Sequence, residues 1–382
     1  MTKAEQLYDW LKNKAWPLWL HYGVDWQKGA FHESLTLGDY HANSNFRRLR
    51  VVARQIYVFS QAYNHGLAQA GEAVEVGLAY LKNHALQSDG GYDWKFSIDG
   101  DVLDNRRDLY DHAFVLLALS AAARVCPSDE LRTQALCLLQ FIQSHMRHPR
   151  GGYVEQIPAL LPRRQNPHMH LLEAFLAAFE QFKEPVFLAY ADELVQFFRK
   201  DVFHKQSFTI PEYFNDEMQV KKENGLHVWE PGHHCEWIWL LDWYERLIPG
   251  GIDAERYAHG AGGAAMRKIK GTNELGPLRE YLWQSVCRFG FNQAQQALIN
   301  EVWGDGTPKD TGQRLWPQTE RLKAEMLMQG NSARSAESLQ SFLYADGLWQ
   351  ERRPASPDIA KAEAPASSLY HLTSGILFAA SR

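Results

Sequence analysis

Apolar residues return every three or four positions along most of this chain, the period of helices that bury one face. The most apolar runs are RVVARQIYVFSQAY (50–63), LYDHAFVLLALSAAARV (109–125), HMHLLEAFLAAFEQF (168–182) and HCEWIWLLDWYERL (234–247). Helices with a more polar face lie between them: AVEVGLAYLKNHAL (73–86), DELRTQALCLLQFIQSHM (129–146) and FLAYADELVQFFRKDVF (187–203). Long runs of strand-type alternation are missing. The pattern predicts an all-α protein in which apolar and amphipathic helices alternate.

A repeat underlies the alternation. Glycine-aromatic stretches recur as KGAFHE (28–33), DGGYDW (89–94), RGGYVE (150–155) and DGLWQE (346–351), the first three starting 61 residues apart. KQSFTIPEYF (205–214) and INEVWGDGTP (299–308) occupy comparable places. Six units follow, each a helix pair closed by a turn or short hairpin. Closed into a ring they make an (α/α)6 barrel, the more apolar helix of each pair inside. An open solenoid is the alternative, but no polar capping repeat stands at either end. Residues 251–275 fit the repeat least well, and the Pro/Ala-rich stretch 353–366 reads as a loop. No domain boundary interrupts the pattern, so residues 1–382 read as a single barrel domain.

Composition narrows the partners. The chain has 382 residues, 45% hydrophobic and 22% charged, enough for a large core, with a net charge of −5. It holds no basic block that would recommend nucleic acid or an anionic membrane. Its N-terminus carries charges inside the apolar stretch, unlike a signal peptide, and no apolar run reaches the roughly 20 residues of a membrane span. The four cysteines form no CxxC pair and read as reduced thiols, so a cytoplasmic protein is expected. Nothing here fixes the choice between monomer and homodimer. Thirteen tryptophans fill a core or line a sugar site.

Candidate chemistry lies at helix starts. NPHMHLLEA begins at Asn166, EPGHHCEWIWLL at Glu230 and WPQTERLKA at Trp316, each with proline where a first helical residue belongs. Asn166 suits an N-cap. His170 and Glu173, His233 and Glu236, and Glu320 follow within about a turn, and His371 lies near the start of the last helix. In a ring of inner helices these starts meet at one end and converge on a pocket. The positive helix end favours neutral imidazole, so the histidines are expected as proton acceptors. Arg54, inside VVARQIYVF, must pair or meet a ligand.

Plainer readings stand beside these. A first-turn Glu such as Glu320 is often only a dipole partner. His168 and His234 read as structural, and Trp237, Trp239 and Trp243 as packing. Glu230–His233 and His233–Glu236 have metal-ligand spacing on a helix, yet HExxH and a second ExxH are absent, so no metal and no cofactor are expected. A glycosidase would use a separated carboxylate pair and leave the histidines without a task.

NPHMHLLEAFLA, EPGHHCEWIWLL, RLWPQTERLKAE, RGGYVE and ARQIYVFS together resemble the N-acylglucosamine 2-epimerase superfamily, in the right order from about residue 10 onward. RLWPQTE and NPHMHL look most like its D-mannose isomerase branch. The resemblance implies an (α/α)6 barrel and metal-free proton transfer at a sugar C2 through a cis-enediol. It implies His233 and His371 as the acid/base pair. Arg54 and His170 would bind the O1/O2 end, Glu236 would orient His233 or the sugar, and Trp316 with Glu320 would form a pocket wall. Asn166 joins the substrate-binding set. The expected function is interconversion of D-mannose and D-fructose, with lyxose as a further substrate. A 2-epimerase is the alternative within the family, and a non-catalytic sugar-binding protein the alternative outside it. Phosphosugars are not expected, because no Lys/Arg cluster or phosphate loop stands near the motifs.

Overall fold

The computed structural model describes residues 2–248, 275–292, 296–353 and 362–382. The poorly patterned stretch 251–275 lies outside them except for its last residue, and so does most of the Pro/Ala-rich loop. In chain order the helices begin with α1 (Lys3–Trp10), α2 (Trp16–Leu18), α3 (Leu49–Asn64), α4 (Ala70–Tyr80), α5 (Leu109–Ala122) and α6 (Asp129–His145). They continue with α7 (Asn166–Phe182), α8 (Pro185–Phe197), α9 (Pro231–Leu247), α10 (Leu275–Phe289), α11 (Leu315–Gln329), α12 (Ala333–Gln340) and α13 (Ala366–Ala380).

The odd-numbered helices from α3 to α13 form an inner ring, with α13 packed back against α3. The outer helices α4, α6, α8, α10 and α12 each cover the inner helix before them, while α1 covers α13. Composition explains the two layers. Helix α5 is buried almost all round, as its sequence demands. Helix α6 buries only the stripe Leu131, Ala135, Leu138, Leu139, Phe141 and Ile142. Burial of one such leucine stabilises the fold by about 1.5–3 kcal/mol. Gly77 lets α4 approach α3 closely: a Cβ there would sit 2.4 Å from Ile56.

Short ladders link each unit to the next. The strand before an inner helix pairs with the hairpin of the following unit: Phe46–Arg48 with Lys95–Ser97, Arg107–Asp108 with Gln156–Ile157, and Arg163–Arg164 with Tyr213–Phe214. Val228–Trp229 and Gln313–Arg314 continue the series. The last link pairs Glu363–Pro365 with Ser34–Thr36, so the chain's end joins its beginning. The ring is closed, and the open solenoid is excluded.

The hairpins are pinned from below by one repeated device. His112 Nδ1 lies 2.7 Å from the Asp108 carbonyl, and its Nε2 accepts the Tyr92 N–H at 3.0 Å. His168 does the same between the Arg164 carbonyl and the Tyr153 N–H, both at 3.0 Å. His234 repeats it at 3.2 and 3.3 Å with Glu230 and the Ile210 N–H. In the next unit Gln318 takes over, donating to the Arg314 carbonyl and accepting from the Leu298 N–H. His168 and His234 are therefore structural. The GG of RGGY belongs to the same device: Gly152 has φ +66° and passes over His168, where a Cβ would meet Nε2 at 2.6 Å.

Candidate active site

The repeat sets the site. Counting from the start of each inner helix, the sixth residue of α3, α5, α9, α11 and α13 and the fifth of α7 are Arg54, Phe114, Glu236, Glu320, His371 and His170. These side chains meet on the ring axis. The Arg54 guanidinium lies 4.1 Å from the Phe114 ring centre, Phe114 and His170 are 4.7 Å apart, and His170 and His371 are 6.4 Å apart. One turn earlier, His233 and Trp316 complete the group. The Trp316 ring lies near both candidate acid/base residues, 4.9 Å from His233 and 5.7 Å from His371. The convergence expected from the helix starts is present.

Arg54 is buried and, among the described residues, has no carboxylate partner. Its guanidinium donates to Tyr110 Oη and to the Ser367 carbonyl, and its Nε has no partner. Three aromatic rings, Phe114, Tyr370 and Tyr110, surround it. A buried cation held this way is suited to receive an anionic oxygen.

The two histidines differ in charge. His371 Nδ1 sits 3.0 Å from Glu320 Oε1. Burial pushes its pKa down, and Arg54 adds to this against the pull of Glu320, leaving it at about 3. His371 is thus neutral, with Nδ1–H bonded to Glu320 and Nε2 carrying the lone pair. His233 Nδ1 sits 2.9 Å from Glu212 Oε1. Burial again lowers the pKa, but Glu212 and Glu230 outweigh it and raise it to about 9. The expectation that the helix dipole keeps every site histidine neutral fails at His233, because two nearby carboxylates exceed a terminal partial charge.

Four assigned roles change. Asn166 is the first residue of α7 rather than its cap, and makes no capping bond. Its Nδ2 lies 3.2 Å from His233 Nε2, while its Oδ1 has no partner among the described residues. A half-turn of this amide would present Oδ1 to a protonated ring, so Asn166 can serve both states of His233. Glu236 does not bond His233. Among the described residues neither of its oxygens has a hydrogen-bond partner, Oε1 lies 3.6 Å from His170 Nδ1, and burial together with Glu320 raises its pKa well above the usual range. Glu320 is no pocket wall: it is fully buried, and its oxygens serve His371, Lys323 and Trp239. Trp239 therefore holds Glu320 rather than merely packing. His170 keeps its place, with Nδ1 3.1 Å from Glu173 Oε2.

Glu212 is the residue the sequence reading passed over. Its second oxygen accepts from Gln165 Nε2 at 3.0 Å, and its first also receives the Glu230 N–H. The repeat carries its signal. Glu33 and Glu155 close KGAFHE and RGGYVE, and each binds the N–H and Nε of the arginine that leads into the next inner helix. SFTIPE ends on Glu212 in the same place, but its partner is His233. Glu212, Glu230 and His233 also stand at a spacing a metal could use, as do His170, Glu173 and Glu236.

Residues 29–260 match the family of N-acylglucosamine 2-epimerase (GlcNAc 2-epimerase). The chain belongs to this family. Within the N-acylglucosamine 2-epimerase family it is 31% identical to a mannose-6-phosphate isomerase of Rhizobium meliloti (strain 1021), over 98% of this chain and 96% of that one. A D-mannose isomerase of Marinomonas mediterranea is 26% identical over 74% of this chain and 70% of its own. A solved D-mannose isomerase has the same fold, with a TM-score of 0.81 at 22% identity, covering 99% of this chain and 97% of that one. The chain is an enzyme of the sugar isomerase and epimerase class. No helix among the described residues is long and apolar enough to cross a membrane.

Proposed function

We propose that this enzyme interconverts D-mannose and D-fructose by metal-free proton transfer. The observation that carries the reading is that His371, held on Glu320 with its pKa pushed down to about 3, and His233, held on Glu212 with its pKa raised to about 9, both lie against Trp316, with Arg54 free of a carboxylate partner among the described residues. His371 Nε2 takes the proton from C2 of the open-chain sugar. The C2 electron pair moves into the C1–C2 bond, and the carbonyl pair moves onto O1. Arg54 and His170 meet the developing charge, and His233 supplies the proton that O1 needs. The cis-enediol then gives up the O2 proton to His233 and receives the His371 proton at C1, leaving ketose. Each histidine ends as it began. Positioned acid and base groups contribute about 10²–10⁴-fold, and a matched oxyanion partner about as much again.

Two other outcomes come from the same groups. Return of a proton to the opposite face of C2 gives an epimer, the reaction for which the family is named. A 6-phosphate on the sugar is favoured by the relative from Rhizobium meliloti. Against it, the arginines at the inner-helix starts are already engaged: Arg48 with Glu33, Arg50 with Asp111, Arg164 with Glu155 and Arg314 with Glu230. Incubation of the pure enzyme with D-mannose, D-mannose 6-phosphate, D-lyxose, N-acetylmannosamine and cellobiose, followed by sugar analysis, separates these readings. Fructose from mannose is expected. Turnover of the phosphate alone, or of an N-acyl sugar alone, would replace this proposal, and stoichiometric binding without turnover would make the protein a sugar binder.

A further inference from the structure

Lys323 is buried directly below the site. It lies one turn after Glu320 on α11, and its side chain is 1% exposed. Nζ sits 2.7 Å from Glu320 Oε2, 3.3 Å from Ser374 Oγ and 3.8 Å from the centre of the Trp239 ring. A lysine seldom sits this deep unless its charge is matched, and here the match is the carboxylate that also holds His371.

The two histidine–carboxylate pairs differ at this point. Each histidine presents Nδ1 to one glutamate oxygen, at 3.0 Å for His371 and 2.9 Å for His233. Behind Glu212 stands the neutral amide of Gln165, with the carboxyl of Glu230 close by. Behind Glu320 stands a full positive charge. The field of Glu320 at His371 is therefore balanced, whereas that of Glu212 at His233 is not.

We propose that Lys323 is a positioning residue that keeps His371 a neutral base by occupying the far oxygen of Glu320. The idea rests on the assignment of His371 as base in the proposed isomerase reaction. Other groups face His371 from the neighbouring helices: Arg54 from α3, His170 from α7, Trp316 from α11 and Tyr370 from α13 itself. Arg54 and His170 lower the affinity of His371 for a proton. Lys323 instead bonds the carboxylate that opposes them, sharing its far oxygen with the neutral Trp239 N–H. The balance also fixes Glu320 as an anion: burial would raise its pKa, but Lys323 and His371 hold it at about 2. An ionised Glu320 accepts the Nδ1 proton and leaves Nε2 as the free base.

The test uses the full chain with Lys323→Met, Lys323→Gln and Lys323→Arg, each checked for folding by circular dichroism. Gln keeps a donor for Glu320 without the charge, and Arg keeps both. The first readout needs no sugar: the protonation midpoint of His371 by NMR of histidine-labelled protein, with the signal assigned through His371→Asn. The second is the acid limb of kcat/KM with D-mannose. Met and Gln should raise the His371 midpoint by at least about one pH unit, a tenfold change in proton affinity, and the acid limb should rise with it. Arg should stay close to the parent. A midpoint unmoved in folded Met and Gln variants would overturn the proposal and leave Lys323 as packing. Movement of the midpoint without turnover of any sugar would sustain the charge balance and count against the isomerase reading instead.

Discussion

Glu212 Oε1 lies 2.9 Å from His233 Nδ1, so a hairpin carboxylate orients a helix histidine 21 positions later and, with Glu230, raises its pKa. Replacement by Gln keeps the shape and removes the charge. Glu212→Gln should lower kcat with mannose on the order of 100-fold, the scale of one acid/base group. The alkaline limb of its pH profile should move down from the region of pH 9, since His233 is held raised by this carboxylate. The sign in stability is the same. A raised histidine stabilises the fold fully below its unfolded value of about 6.5 and loses that contribution as pH rises through about 9. Denaturant midpoints of parent and variant between pH 6 and 10 test this. An unchanged alkaline limb would make Glu230 the controlling group.

Arg54 bears on the oxyanion. Arg54→Ala should reduce kcat about 100- to 1000-fold, or roughly 3–4 kcal/mol, with the helical signal intact. Lysine should restore little, because Tyr110 Oη and the Ser367 carbonyl receive two different guanidinium nitrogens. Near-normal turnover in Arg54→Ala would place this arginine in a purely structural role.

The pinned hairpins predict acid lability. Burial holds His112 at about 4 and His168 and His234 at about 3. A depressed histidine favours the fold above its unfolded value of about 6.5, and that contribution falls as pH drops from there toward the folded value. At pH 5 each costs about 2 kcal/mol relative to neutral pH. Gln318 shows that an amide makes the same two hydrogen bonds. His168→Gln should therefore fold, keep its activity and lose less stability between pH 7 and pH 5, as read from urea midpoints. His168→Ala should cost about 1–3 kcal/mol at neutral pH, with the Tyr153 N–H left unpaired. Equal acid loss in parent and His168→Gln would contradict the assignment.

Much of this architecture was legible in the chain, because its physics is local and repeated. Apolar period and hairpin spacing gave six units, and the proline-led helix starts gave His170, His233 and Trp316. Arg54 stood out as a charge inside an apolar run. What remained hidden depended on contacts between units. Glu212 and His233 belong to a hairpin and a helix that meet only once the ring is built. The charge of His233 is set by carboxylates across that gap, which a helix-end argument cannot weigh. Glu320 read as a wall because its spacing marks the right layer, but not that Lys323 and Trp239 would occupy its outer oxygen. Closure by Glu363–Pro365 against Ser34–Thr36 pairs residues from opposite ends of the chain, and no local pattern encodes that register.

The central claim is that His233 and His371 together move a proton without a metal. It is tested most directly by the conversion of D-mannose to D-fructose in excess chelator, comparing the parent enzyme with His233→Asn, His371→Asn and His234→Gln. Parent and His234→Gln should turn over at similar rates with chelator present, because His234 only pins the Ile210 hairpin. His233→Asn and His371→Asn should be folded and lack measurable conversion. Loss of parent activity on chelation with rescue by a divalent ion, or an essential His234 beside a dispensable His233, would contradict the account.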